Sequence, residues 1–301
     1  MFDIIIVGAG TAGMTAAIYG ARAGKKVLIL EEKSYGGQII NSPEIENYPG
    51  IKKISGFDFA TGLYEQMISL DVTVAFEKVL SIDPKEKKVK TKKQIYLGKS
   101  IILAVGAKRR PLGIAREEEL IGKGISYCAT CDGPLYKDKE VAIVGGGNTA
   151  LEDASFLSNY CKKVYLIHRR NEFRGETHLV SHLDQRNNII YLLNSNVTEL
   201  IGDNTLDAIR ILNHETKEEK ILDVSGLFIT IGQIPASEEF KDTIRVDENQ
   251  YIIANEDCKT NIEGVFTAGD CRTKLVRQLA TAASDGATAA LLACQYLESD
   301  N

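Results

Sequence analysis

The clearest pattern in the chain is an apolar run that gives way abruptly to glycine. Asp3 to Val7, with four consecutive β-branched residues, predicts a buried strand. Gly8-Ala9-Gly10-Thr11-Ala12-Gly13 follows at once. Met14 to Ala23, rich in alanine, predicts a helix that Gly24 ends. Val27 to Leu30 predicts the next strand, closing on Glu31. Strand, glycine turn, helix, strand and acid make up a dinucleotide-binding unit. The pattern recurs. Val141 to Val144 reads as a strand, Gly145-Gly146-Gly147-Asn148-Thr149-Ala150 as a turn and Leu151 to Ser158 as a helix. Val164 to Ile167 reads as a strand closing on His168-Arg169-Arg170.

Two copies of one unit imply two nucleotide-binding domains. Between them lie Ile101 to Gly106 and a polar stretch from Lys108 to Lys123, which carries Pro111 and the run Glu117-Glu118-Glu119 and suits a linker. A matching break falls at Gly232-Gln233-Ile234-Pro235. Glycine-rich α/β character then returns from Gly264 to Asp270, and an alanine-rich helix is expected over about Thr281 to Tyr296. The expected fold class is therefore α/β, with two Rossmann-like, three-layer domains, the second inserted into the first. Residues 1–110 and 235–301 would form one domain and 111–234 the other. Asn196 to Ile231 shows short β-like runs at hairpin spacing, which suggests a small antiparallel layer. The basic run Lys85 to Lys93, after Asp83 and Pro84, fits a solvated hairpin.

Composition narrows the function classes. A chain of 301 residues with 44% apolar residues can bury two cores. A net charge of −5 argues against binding nucleic acid through its phosphates. No apolar run approaches the length of a membrane span, and the start shows no basic-then-apolar signal, so a cytoplasmic location is expected. Six cysteines, at 128, 131, 161, 258, 271 and 294, do not form a disulfide framework in such a chain.

The chemistry concentrates in three places. In the first turn Gly8 makes the bend, Gly10 lets backbone approach a diphosphate, and Gly13 lets the helix pack; Glu31 can accept from ribose hydroxyls. The second turn ends on Arg169 and Arg170, with Arg174 close by, where a carboxylate would repel a 2′-phosphate and guanidinium groups would hold it. That favours NADPH there and FAD at the acid-ended site, since hydride passes readily from nicotinamide to flavin. The third place is Cys128-Ala129-Thr130-Cys131-Asp132, whose spacing allows a small reducible disulfide with a carboxylate beside it. Zinc would want a second pair or histidines at ligand spacing, so no metal is expected. His178 and His182 read as an exposed helix face, and Cys161, Cys258 and Cys294 as structural thiols.

Together these segments resemble low-molecular-weight thioredoxin reductases, the NADPH- and FAD-dependent bacterial and archaeal type. The likeness runs nearly end to end: Gly8 to Gly13, Gly36-Gly37-Gln38, Glu46 to Gly50, Cys128 to Asp132, Gly145 to Ala150, His168 to Arg170 with Phe173-Arg174, Gly269-Asp270 and Arg277-Gln278. The resemblance implies an FAD site of Gly8, Gly10, Thr11, Ala12, Gly13, Glu31, Glu32, Gly36, Gly37, Gln38 and Asn47. Gly106, Gly269, Asp270, Arg277, Gln278 and Leu279 would complete it. It implies an NADPH site of Gly145, Gly147, Asn148, Thr149, Ala150, His168, Arg169, Arg170 and Arg174. Cys131 would face the flavin, Cys128 would attack the partner's disulfide, and Asp132 would exchange protons. Thioredoxin or a similar small dithiol protein would be the partner, and the enzyme would be a homodimer. The inserted domain would rotate on its two linkers, with Gly113 and Pro235 as candidate hinge residues. Gly175 stands where alanine is common in the family. The rivals within this class are a reductase of a glutaredoxin-like protein and a ferredoxin-linked flavin thioredoxin reductase. The rival outside it is a nucleotide-sensing module with a structural cysteine pair.

Overall fold

The structure, a computed structural model, describes residues 1–42 and 44–299. The chain separates into two compact units, Met1–Lys108 with Ile234–Asn301, and Arg109–Gln233. The first segment runs through β1 (Phe2–Val7), α1 (Thr11–Arg22), β2 (Val27–Glu31), α2 (Gly56–Ile68) and β3 (Thr73–Phe76). It continues with β4 (Val79–Asp83), β5 (Lys88–Thr91), β6 (Ile95–Leu103) and β7 (Ala107–Arg109). The inserted unit holds β8 (Ile125–Ser126), α3 (Ala129–Asp132), β9 (Glu140–Val144), α4 (Asn148–Ser158), β10 (Lys163–Ile167), α5 (Thr177–Leu183) and β11 (Ile189–Leu192). It ends with β12 (Ser195–Ile201), β13 (Ala208–Asn213), β14 (Glu219–Asp223) and β15 (Gly226–Ile229). The return brings β16 (Gln233–Pro235), β17 (Val265–Thr267) and α6 (Leu279–Ser299).

In the first unit β3, β2, β1, β6 and β17 lie parallel. The unbroken β-branched run of β1 is explained by burial on both faces. Ile4 and Ile6 join the core under α1 and α6, while Ile5 and Val7 join a second core with Val79, Ile82 and Val89. β4 and β5 form the expected antiparallel hairpin, and β5 also pairs antiparallel with the first half of β6. Glycines inside α1 cost helix propensity, roughly 1 kcal/mol each. Packing overrides that cost, because a Cβ on Gly13 would lie 1.9 Å from the Gly8 carbonyl oxygen.

In the inserted unit β11, β10, β9, β15 and β8 form a parallel sheet. Ala142 and Val144 pack toward the antiparallel sheet of β12, β13 and β14, and Val141 and Ile143 toward α4. The antiparallel layer therefore exists but ends at Asp223. The last apolar run, expected in that layer, instead pairs with β9 in the parallel sheet, because both of its faces are buried. Both units thus have the layered, doubly wound α/β form.

Much of the polar stretch expected to be linker is folded. Glu117, 4% exposed, accepts from the N–H groups of Leu112, Gly113 and Ile114 at 3.0, 2.9 and 3.5 Å, and from the Tyr127 hydroxyl at 2.6 Å. Each carboxylate oxygen takes two donors. An amide in its place would turn an NH2 toward two of them. Glu117→Gln should therefore cost about 2 kcal/mol, seen as a fall of about 5 °C in the thermal midpoint. An unchanged midpoint would show that the loop holds without this carboxylate.

Candidate active site

The first glycine turn begins α1 with no side-chain cap and no acid in its first turn, so its leading N–H groups remain for an anion. Gly8 needs its left-handed φ of 104°, and a Cβ there would meet the Ala104 carbonyl oxygen at 2.4 Å. Nothing lies within 4 Å of where a Gly10 Cβ would sit, so the backbone is open to a ligand at that point. Thr11 and Ala12 are buried in the first helical turn. Glu31 accepts from Ala9 N at 2.9 Å and Lys33 N at 3.1 Å, which fixes the carboxylate at the end of β2. Glu32 lies outward, 3.6 Å from Lys78.

Distant segments gather at this turn. Gly36 N donates to Ala9 O at 2.7 Å, and a Cβ on Gly37 would be 3.3 Å from Gly10 Cα. Gln38 donates to the Ala107 carbonyl. Asn47 reaches Gln278 at 3.3 Å, just ahead of Leu279 at the start of α6. Gly269 packs against Ala12, where an added Cβ would stand 2.9 Å from the alanine Cβ. Arg277 stacks over Tyr251, 4.1 Å from the ring centroid, and its Nε lies 3.5 Å from the Asp270 carbonyl oxygen. Gly106 is open, with nothing within 4 Å of its Cβ position. An open turn, uncapped amides and a fixed acid form a donor set that fits a dinucleotide with a free adenosine ribose.

Sequence reading missed a buried charge cluster beneath this loop. Asp285, in α6, accepts from Gly269 N at 2.9 Å, from Arg272 Nε and Nη2 at 2.8 Å each, and from Lys274 Nζ at 2.8 Å. Burial alone would raise its pKa, but the two cations outweigh burial and hold it below the usual value. The cluster ties the Gly269–Asp270 segment to α6.

The second turn begins α4, again uncapped and without an acid in the first turn. Gly145 is enclosed by Thr230 and Ala150, whereas Gly147 is open. Arg174 N and Gly175 N both donate to Gly146 O, at 2.6 and 3.1 Å. Asn148 and Glu176 exchange hydrogen bonds at 2.8 and 2.9 Å, so the arginine segment is tied to the turn at two points. A Cβ on Gly175 would stand 2.4 Å from Leu151 Cδ1, so a larger residue there requires that side chain to move. Arg169, Arg170 and Arg174 are exposed, as is Thr149, while Ala150 is buried. His168 differs from its neighbours: it is 4% exposed and its ring lies against Gly146. Burial, then the charges of the three arginines, push its pKa down, so it supports the turn as a neutral ring.

Cys128 and Cys131 are joined by a disulfide, with Cα atoms 5.2 Å apart. β8 delivers them. Ser126 pairs with Phe228 of β15, and the chain turns at Cys128, the N-cap of α3. Both cysteines are half-buried and Thr130 is exposed. A disulfide sulfur carries no hydrogen, so the Thr130 hydroxyl is the donor across its 3.4 Å contact with Cys128 Sγ. Asp132 accepts from the Ser126 hydroxyl at 2.6 Å, and its Oδ1 is buried without a hydrogen-bond partner. Burial raises its pKa, against the Ser126 hydrogen bond and the charge of Arg109. Arg109 also stacks on Tyr127, 4.9 Å from the ring centroid.

The other four cysteines are buried and free, and His178 and His182 are exposed on α5. Among the described residues no group of three His, Cys, Asp or Glu is placed to hold a metal ion, and no helix is long and apolar enough to cross a membrane.

The family described as pyridine nucleotide-disulphide oxidoreductase matches residues 2–287. The chain belongs to this family. Pyridine nucleotide-disulphide oxidoreductases join flavin, nicotinamide and disulfide chemistry, which accounts for two nucleotide turns and one reducible pair in one chain. The thioredoxin reductase of Mycoplasma genitalium is 40% identical over 295 residues, 97% of this chain and 94% of that one. A 34.2 kDa protein in the rubredoxin operon of Clostridium pasteurianum is 41% identical over 298 residues, 98% of this chain and 97% of that one. The crystal structure of thioredoxin reductase from Streptococcus pyogenes superposes with a TM-score of 0.94 at 37% identity, covering 99% of each chain. The two layered units are accordingly the FAD- and NAD(P)-binding, Rossmann-like domains of such oxidoreductases.

Proposed function

We propose that the chain is a thioredoxin-disulfide reductase that draws electrons from NADPH. The observation that carries this reading is the Cys128–Cys131 disulfide in the same unit as an arginine-ended nucleotide turn. The acid-ended turn of the other unit would hold FAD, and Arg169, Arg170 and Arg174 would hold the 2′-phosphate of NADPH. A bound flavin would supply a two-electron carrier able to take hydride from nicotinamide and pass the pair to a disulfide. Cys131 receives those electrons as the disulfide opens. Cys128 then attacks a disulfide of the partner, thioredoxin or a similar small dithiol protein, and Asp132 exchanges the protons. The reading carries with it a cytoplasmic homodimer.

Both nucleotide and disulfide belong to the inserted unit, so the reading includes a turn of that unit on its crossings. Gly106 and Gly232, with left-handed φ of 66° and 100°, stand at the two crossings and are candidate points for that turn. The N–H of Gly113, the other glycine candidate, is bonded to Glu117.

The deciding experiment is stopped-flow spectroscopy of the yellow holoprotein. Anaerobic NADPH should bleach it, and oxidised thioredoxin should restore the colour. Failure of NADPH to bleach a flavin-loaded protein would end the proposal.

Asp132 gives a pH test. Its raised pKa keeps it protonated at higher pH than an ordinary aspartate, so proton donation fades as pH rises through that raised value. Asp132→Asn should slow reoxidation about tenfold and remove this falling limb. An unchanged profile would take Asp132 out of the proton transfer.

A further inference from the structure

Ser126 lies two residues before the redox pair, is 2% exposed and occupies the short strand β8. Its hydroxyl has one hydrogen to donate and lone pairs to accept with. The Cys128 N–H donates to Ser126 Oγ at 3.1 Å. The hydroxyl hydrogen has two acceptors in range, Asp132 Oδ2 at 2.6 Å and Cys128 O at 3.4 Å. The shorter contact, to the carboxyl oxygen, takes it. Oδ2 is thereby an acceptor already in use. Oδ1 is buried and has no hydrogen-bond partner.

Such an orphan atom is costly and calls for a reason. The closed disulfide supplies one, since its sulfurs bear no proton to share. Opening the bond creates thiol and thiolate groups, and only then does the buried carboxyl have a proton to exchange. We propose that Ser126 is a positioning residue that commits Asp132 Oδ2 as an acceptor and so makes Oδ1 the oxygen that exchanges protons with sulfur. The inference deepens the reading of Asp132 as proton donor and rests on it.

The exchange balances as follows. Cys128 thiolate attacks one sulfur of the partner's disulfide; that S–S bond breaks and a mixed disulfide forms. The expelled partner thiolate takes the proton from Asp132 Oδ1. The resulting carboxylate takes the proton of the Cys131 thiol, and the Cys131 thiolate attacks Cys128 Sγ. The Cys128–Cys131 bond closes, and the second partner sulfur leaves with the proton from Oδ1. One dithiol is oxidised and one disulfide reduced, with two protons moved. Throughout, the hydroxyl of Ser126 holds the other oxygen, and its link to the Cys128 N–H ties the carboxyl to the backbone of the attacking cysteine.

The test measures reoxidation of the NADPH-reduced holoenzyme by a disulfide substrate across pH. Several charged or titratable groups surround the site: Arg109, Tyr136, Cys161, and Glu152 and Asp153 of α4, which packs against α3. Asp153 is raised by burial to about 7, so Asp132→Asn is needed to assign the limb. Ser126→Ala removes the donor that stabilises the carboxylate. It should move the assigned limb up by about one pH unit and slow reoxidation about tenfold. Ser126→Thr, which keeps a hydroxyl, should restore both to within about twofold, and Ser126→Ala added to Asp132→Asn should cost nothing more. An unmoved limb in Ser126→Ala, no rescue by threonine, or a further loss in the double variant would overturn the inference while leaving Asp132 in its role. A profile insensitive to Asp132→Asn would overturn both. NADPH bleaching at the parent rate in Ser126→Ala checks that the variant is folded and loaded.

Discussion

Cys128→Ser should abolish reduction of a protein disulfide, by at least about a thousandfold, while NADPH still bleaches the holoprotein. The argument begins with the sulfur's surroundings. Cys128 opens the redox turn at the end of β8, and the exposed Thr130 hydroxyl lies 3.4 Å from its Sγ. Once the bond is reduced, that hydroxyl can donate a hydrogen bond to the freed sulfur. A serine hydroxyl at the same place stays protonated at neutral pH and does not attack disulfides. Flavin reduction by NADPH needs neither sulfur and should keep the parent rate. Cys131→Ser should behave differently: Cys128 can still attack but cannot be displaced, so a mixed disulfide with the partner accumulates and is visible by mass. Loss of bleaching in Cys128→Ser, or trapping of the partner by that variant instead of by Cys131→Ser, would reverse the two roles.

What was legible in the sequence follows the range of the forces involved. The two strand–turn–helix–strand units are local, and each shows in a window of thirty residues, so both appear in the structure with boundaries moved by a few positions. α1 and α4 start earlier than expected, at Thr11 and Asn148, because Gly10 and Gly147 take the N-cap positions. Sheet membership is not local. Gly226–Ile229 looks like one more hairpin run, and only its pairing with β9 puts it in the parallel sheet. Glu117 shows the same limit at a single residue. In sequence it opens a run of three acids that reads as solvated. In the fold four donors from two loops meet it, and it becomes the buried pin of the segment before the redox pair. Ser126 carries no motif of its own, and its part depends on a 2.6 Å contact six residues away. Asp285 was hidden for a similar reason. Its partners Arg272 and Lys274 lie more than ten residues earlier, across the turn into α6.

The arginine-ended turn gives the second large effect. Arg169→Ala with Arg170→Ala should lower kcat/KM for NADPH about a hundredfold and change that for NADH by less than about threefold. Arg169 and Arg170 follow β10 one residue on, after His168; they are exposed, and no salt bridge to an acid engages them among the described residues. Arg174 is brought to the same turn by its backbone bond to Gly146. After burial, the charges of all three arginines also lower the pKa of the neighbouring His168. Cations crowded without a carboxylate repel one another, and a bound dianion relieves that repulsion. Each charge-assisted hydrogen bond to a phosphate contributes about 1.5 kcal/mol. Two of them give about 3 kcal/mol, which is the hundredfold loss. NADH has a hydroxyl where NADPH has the phosphate, so it has little to lose. Salt sharpens the test, because the NADPH preference of the parent should shrink as ionic strength rises while that of the double variant stays flat. Equal losses for the two nucleotides would mean that the arginines hold the turn itself, and the choice of NADPH would then need another cause.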